Sequence, residues 1–504
     1  MTKTYEKEIK IVGIILFFKL IILSLIPLTG DEAYFIKWAT HLSSGYYDHP
    51  PMVGWLIYLM SYISDNIIFF RLFSFFAAIT VAFSIYNIAK LYIDENKAYL
   101  LFLLFLVSPV DILMSLFTND IPLVLFGTLG TQFLLYSLKK SQTVKYAILA
   151  GLFLGASFLS KYFAIFLLFS LLIFAITTYK IKSIKTLFIA STIILLAVAQ
   201  NMYFNYNSCW NNIMFNFFAR TESHYNFETF SNFLLNLIYV TTPWAFWFLY
   251  KSRTNFIKSE LFTLVSLILG VMFVVFFIVS LKNLMGIHWF ILFLPYIFLL
   301  FAFLTDDYLK KLFKYNAIFT FMHIAILMSV LVALHLLPNS VFKASYYYED
   351  AVLSTNMKKT CKVLDEKYAD KKLFSTGYTN SAMFNYYCKK DMPMIFSNSV
   401  FGRMDDKLVD IRELTDTNFY IFNNREMQEK EFDSVCESVN ITTFQVEDAN
   451  FYVSECKGFN YSKYKKYYLD IQQKKFYDIP SWLPQGKCYF NERYYSNEQN
   501  MSAK

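Results

Sequence analysis

The sequence predicts a polytopic α-helical membrane protein followed by a small α/β domain. Three observations carry this. The 504 residues are 56% hydrophobic and 20% aromatic, with only 17% charged, far from the usual make-up of a soluble chain. Apolar runs that approach or reach the roughly 20 residues of a spanning helix recur up to residue 337. After Pro338 the chain turns charged and rich in Tyr and Asn, with no further run of that length. This sets a transmembrane part at 1–338 and a soluble part at 339–504.

Counting weaker runs as well gives about eleven crossings, near 11–29, 67–90, 98–117, 120–138, 145–159, 162–179, 186–203, 231–250, 261–281, 288–304 and 316–337. The net charge of +8 belongs wholly to this part. Residues 1–340 hold 23 Lys and Arg against 15 Asp and Glu, whereas residues 341–504 hold 23 of each. Nucleic-acid binding would need a basic face on a soluble domain, so nucleic acid is not an expected partner. The lysines report topology instead. With the N-terminus in the cytoplasm, 17 of the 23 fall on inside segments, as the positive-inside rule requires. An odd number of crossings then puts the C-terminal domain outside. The first span has no small-x-small cleavage pattern before Asp31 and is expected to be retained.

The soluble part holds five of the six cysteines, Cys361, Cys388, Cys436, Cys456 and Cys488. An outer compartment allows disulfides. Two bridges with one thiol left over, or free buried cysteines, both fit an odd count and irregular spacing. Leu353–Ala369 and Asn380–Cys388 read as helices, and Leu373–Thr376, Met394–Phe396 and Phe419–Phe422 as short strands.

Ionisable groups near lipid are costly and call for a reason. On the outer side the cations Lys37, Arg71, Lys161, Arg220 and Lys282 are each either solvated or functional, while Lys19, inside the first span, snorkels or pairs within the bundle. Lys161 lies in a very short helical hairpin, Phe158-Leu159-Ser160-Lys161-Tyr162, so its ammonium sits at the interface, where a phosphate head group is a natural partner. Among carboxylates, Asp31, Glu32, Asp48, Asp111 and Asp120 are nearest the expected membrane surface. Asp31 and Glu32 are adjacent, so on a helix they point about 100° apart and cannot share one task. One of them suits a general base; alternatively Asp31 caps a helix that begins at Glu32. Asp120 before Ile121-Pro122 has the same two readings. In Tyr46-Tyr47-Asp48-His49-Pro50-Pro51 the consecutive prolines fix an extended turn that holds an acid and an imidazole beside two aromatic rings. That arrangement reads as a binding loop.

Taken together, Asp31-Glu32-Ala33-Tyr34 and Gly45-Tyr46-Tyr47-Asp48-His49-Pro50-Pro51 resemble the first outer loop of the GT-C glycosyltransferases of the protein O-mannosyltransferase and aminoarabinose-transferase superfamily. Arg71-Leu72, Thr118-Asn119-Asp120-Ile121-Pro122, Leu159-Ser160-Lys161-Tyr162 and His288-Trp289 fall where that superfamily has similar motifs, so the resemblance covers roughly residues 11–300. Ser381–Tyr387 faintly resembles a segment of the soluble domain of the aminoarabinose transferases. The resemblance implies a GT-C fold in a bacterial inner membrane with a periplasmic C-terminal domain. It also implies an inverting transfer of a sugar from a polyprenyl-phosphate donor to an acceptor hydroxyl on a glycolipid such as lipid A or on a protein. Asp31 would be the catalytic acidic residue. Glu32, Tyr47, Asp48, His49 and Asp120 would contact substrate, and Lys161 with Arg71 or Arg220 would stabilise the phosphate leaving group. His49 stands where the aminoarabinose transferases have a lysine.

No cofactor is expected, and a divalent metal is the alternative, since Asp48-His49 and His288 are of ligating type, but the two histidines come from distant loops with no further ligand fixed by spacing. A transporter or flippase of lipid-linked saccharides is the competing function, but it should show paired repeat halves with broken helices, and no such symmetry is visible. The topology has a direct check. A reporter fused after Ser340 should be active only outside the cytoplasm, and cytoplasmic activity would overturn every outer-loop assignment.

Overall fold

The computed structural model describes residues 5–139, 143–219, 226–256, 258–396, 405–426, 432 and 434–496. The chain divides into two compact units. One comprises Met1–Ile26, Pro50–Asn201 and Ser223–Leu331, the other Pro27–His49, Met202–Glu222 and Val332–Lys504.

The first unit is helical. Its elements are α1 (Glu6–Leu25), α3 (Met52–Ser61), α4 (Ile67–Ala89), α5 (Glu95–Leu106), α6 (Asp120–Lys139), α7 (Thr143–Phe158), α8 (Ala164–Tyr179), most of α9 (Ile184–Tyr206), α11 (Phe227–Thr241), α12 (Pro243–Lys251), α13 (Glu260–Ser280), α14 (Leu294–Leu300) and most of α15 (Asp306–Leu336). Five stretches among the described residues are long and apolar enough to cross a membrane: α4, α6, Ala164–Tyr206, α13 and α15. The number rises to eight if each bent pair of helices counts as one span. The bends explain why uninterrupted runs in the sequence become broken helices. The expected span 98–117 ends as an α-helix at Leu106 and resumes as a 3-10 helix, Pro109–Ser115, at an angle of 59°. The span 231–250 breaks by 70° before Pro243, where Thr242 has a φ of 70°. In both places proline removes an N–H and clashes with the preceding turn.

Lipid offers no hydrophobic drive between helices, so close backbone approach and polar bonds hold such a bundle. Gly130 of α6 lies against Leu154, and Gly151 of α7 lies against the backbone of Ala190 in α9; a Cβ at either would meet backbone atoms at 3.0 and 2.9 Å. Buried hydroxyls bridge helices: Thr131 to Tyr296 at 2.6 Å, Ser137 to Thr186 at 2.8 Å, and Thr320 to the carbonyl of Val107 at 2.8 Å. Lys19 pairs with Asp111 at 2.8 Å, both fully buried, so it meets a partner inside the bundle instead of reaching for the interface.

The second unit contains α2 (Gly30–Thr40), α10 (Asn211–Ile213), α16 (Tyr348–Tyr368), α17 (Tyr378–Cys388), α18 (Asp405–Leu408) and four strands. These are β1 (Leu373–Ser375), β2 (Phe419–Asn423), β3 (Ser438–Val446) and β4 (Ala449–Lys457), in the order β1-β2-β4-β3, with β1 parallel to β2 and the other pairs antiparallel. Both expected helices form. Of the expected strands, Leu373–Thr376 and Phe419–Phe422 form, while Met394 makes only an isolated bridge to Ser375. The hairpin β3–β4 carries alternating β-branched residues, but its turn is Glu447-Asp448, with Glu447 at φ 53°. It thus lacks the Asn-Gly type of signal that marks such turns in a sequence.

All six cysteines are paired: Cys209–Cys488, Cys361–Cys388 and Cys436–Cys456. Neither the odd thiol nor the free cysteines of the sequence reading exist, because Cys209, from the segment 202–222, completes the set.

Candidate active site

The site begins at the N-terminus of α2. Thr29, at φ −84° and ψ 156°, is the N-cap, and its Oγ1 accepts from the backbone N–H of Glu32 at 3.3 Å. The Glu32 carboxylate accepts in return from the N–H of Thr29 at 3.3 Å and from its hydroxyl at 3.0 Å. This is a capping box, and it buries Glu32. The cap alternative for Asp31 is therefore corrected: the helix starts at Gly30, and Thr29 does the capping. Asp31 is left exposed on the first turn, where the partial positive charge of the helix end favours an anion. Its Oδ1 accepts a hydrogen bond from the Tyr378 hydroxyl at 3.2 Å.

Downstream, the proline-flanked loop is held by its own unit. The Tyr46 ring stacks on Trp38 with centroids 4.1 Å apart, and its hydroxyl donates to the carbonyl of Trp38 at 2.9 Å. Burial pushes the Tyr46 phenol up to about 12. The N–H of Tyr46 donates to the carbonyl of His49 at 3.1 Å, closing the turn. Gly45 is required there, because a Cβ would fall within 2.4 Å of the Phe204 ring. Two amides absent from the sequence-derived candidates support the loop. Asn212 donates to the carbonyls of Tyr46 and Tyr47, the latter at 2.9 Å, and Asn216 donates to the carbonyl of Asp48 at 3.0 Å. The run of asparagines from 201 to 216 was their only signal.

The structure places Tyr47 in the core of this unit, with its ring against Phe215 and Phe476. Asp48 is buried and accepts from the Tyr34 hydroxyl at 3.2 Å. His49 is half-buried, with its ring centroid 6.3 Å from that of Trp38 and 6.4 Å from that of Phe35. Lys37 is not a solvated charge. Its ammonium is buried and donates to Asp405 at 2.7 Å and to Ser381 at 2.8 Å.

In the first unit, Asp120 opens α6 and Lys161 lies in the turn between α7 and α8. They form an ion pair at 2.8 Å, with side chains 4% and 10% exposed. Arg71, fully buried on α4, donates to the carbonyls of Leu23 and Ile26 at 2.8 and 2.6 Å, satisfying acceptors at the end of α1. His288 is in the 3-10 helix Ile287–Phe293. Arg220 lies outside the described residues. No group of three or more His, Cys, Asp or Glu side chains among the described residues is placed to hold a metal ion.

Two kinds of likeness bear on this geometry. Residues 48–204 match the family model of dolichyl-phosphate-mannose-protein mannosyltransferases. In whole architecture, the chain superposes on ArnT from Cupriavidus metallidurans bound to undecaprenyl phosphate with a TM-score of 0.64 at 12% identity, covering 89% of this chain and 98% of ArnT. The chain has the ArnT-like GT-C fold. Apo ArnT gives 0.62, with 90% and 98% covered. A lipid A galacturonosyltransferase, RgtD, from Rhizobium johnstonii is 28% identical over 138 residues. That match spans 27% of this chain and 29% of RgtD. Within this GT-C fold, the pairing of Asp120 with Lys161 has a measurable cost of disruption. Lys161→Met strands a buried carboxylate and should destabilise the protein by about 3–5 kcal/mol, read as a lower melting temperature in detergent. Lys161→Met/Asp120→Leu should recover most of that loss. An unchanged melting temperature in the single variant would show that the pair does not hold the turn.

Proposed function

We propose that the chain is an inverting glycosyltransferase. It moves a sugar from a polyprenyl-phosphate donor to a hydroxyl of a glycolipid such as lipid A, or of a protein, on the outer side of a bacterial inner membrane. The observation that carries the reading is the separation of the two acids at the start of α2: Glu32 is consumed by the capping box, and Asp31 is exposed and oriented. The RgtD and ArnT likenesses support the lipid A and polyprenyl-phosphate parts of the reading. Three disulfides in the second unit fit an oxidising compartment. The reading has about eleven crossings, a membrane part over 1–338 and a periplasmic part over 339–504.

In the transfer, Asp31 takes the proton of the acceptor hydroxyl. The oxygen attacks the anomeric carbon from the face opposite the phosphate, the bond from that carbon to the phosphate oxygen breaks, and polyprenyl phosphate leaves. Charge that develops on the phosphate is stabilised by preorganised cations. Lys161, held by Asp120, is the leading cation, with Arg71 and Arg220 as further candidates. Tyr47 and Asn212 shape the loop that presents Asp48 and His49 to the substrates.

Asp31→Asn keeps the shape and removes the base, so transfer should fall by about 10²–10⁴-fold while the melting temperature in detergent holds. Mass spectrometry of glycolipids and glycoproteins from cells with the gene, without it, and with the variant reads both the missing substituent and its loss. Full modification by the variant would remove Asp31 from the chemistry.

A further inference from the structure

Helix α17 packs along α2 within the second unit. On α2, Asp31, Tyr34 and Lys37 recur three residues apart and share a face. On α17, Tyr378 and Ser381 have the same spacing. The pairs meet in register: Tyr378 donates to Asp31 at 3.2 Å, the rings of Tyr34 and Tyr378 lie edge to face at 5.2 Å, and Lys37 donates to Ser381 at 2.8 Å. Asp405 closes the far end, accepting from Lys37 at 2.7 Å and from Ser381 at 3.4 Å. Lys37, Ser381 and Asp405 are each at most 4% exposed, so the attachment is dry and charged.

Helix α17 is itself fixed at both ends. Ser375 and Gly377 exchange hydrogen bonds ahead of it at 3.2 and 3.3 Å, and Thr376 donates to Asn423 of β2 at 2.6 Å. Its last residue, Cys388, is bonded to Cys361 of α16. A phenol mounted on such a helix cannot follow a rotating carboxylate; it holds the carboxylate in place.

We propose that Tyr378 is the positioning residue of Asp31. The bond to Oδ1 fixes the rotation of the carboxylate and leaves proton transfer to Oδ2, and the buried Lys37–Asp405–Ser381 cluster keeps α17 at the distance this requires. Helix α17 thereby completes the acid end of the site within the second unit. Fixing a reacting group in a near-attack geometry raises the rate of the chemical step without changing how tightly substrates bind.

This inference rests on the assignment of Asp31 as base, and the test separates the two. Initial rates are measured with the full-length protein in detergent, using donor and acceptor lipids extracted from the membranes of cells that lack the gene. Tyr378→Phe keeps the ring and its packing on Tyr34 and deletes only the donor. It should lower kcat by about ten-fold or more, the effect of a lost hydrogen bond to a charged group, with KM for donor and acceptor within about two-fold and an unchanged melting temperature. A kcat equal to wild type, or a loss expressed only in KM, overturns the role of Tyr378 when Asp31→Asn is inactive. Full activity in Asp31→Asn overturns the base assignment and this inference with it.

Discussion

The second unit depends on a buried charge. Lys37 points an ammonium into the interior from the last turn of α2, and an isolated cation there would be untenable. It is tolerated because Asp405 and Ser381 take it up at 2.7 and 2.8 Å. Removing one partner of such a pair typically costs about 3–5 kcal/mol, whereas sliding α2 by one residue would carry the ammonium away from both partners. The pair therefore acts less as a source of net stability than as a register pin. Once α2 is pinned, Thr29 and Glu32 close its first turn, and Asp31 has one place to go.

A comparable logic runs through the first unit. Its helices are broken at prolines and held together by buried hydroxyl bonds, glycine contacts and, among the described residues, two buried ion pairs, Lys19–Asp111 and Lys161–Asp120. Arg71 uses its guanidinium on the last carbonyls of α1. Charges that look expensive in a hydropathy reading are thus placed where they satisfy either an opposite charge or backbone acceptors that lipid cannot satisfy.

Much of this was legible in the sequence. The apolar runs announced the long apolar helices of the first unit, the Asp31 and Tyr46–Pro51 motifs pointed to the ArnT-like fold, and two helices and two strands of the second unit were readable from periodicity. What escaped was long-range. Lys37 stayed open between a solvated and a functional charge because its partners lie 344 and 368 residues away. The cysteine count looked odd because Cys209 belongs to the second unit although it lies far from the other five cysteines in sequence. Local pattern cannot report such pairings. One miss was avoidable: Thr29-Gly30-Asp31-Glu32 has the spacing of a capping box, which would have assigned Glu32 to structure and freed Asp31 from the cap reading.

The proposed chemistry follows from that division of labour. In the proposed transfer a single oriented carboxylate acts on the acceptor, which implies one displacement at the anomeric carbon, with no covalent sugar on the protein. The stereochemistry of the product reports this directly. For a donor of known anomeric configuration, the proton coupling constant at the anomeric carbon of the purified product, measured by nuclear magnetic resonance, should show the opposite configuration. Retention would require two successive displacements and would contradict the account.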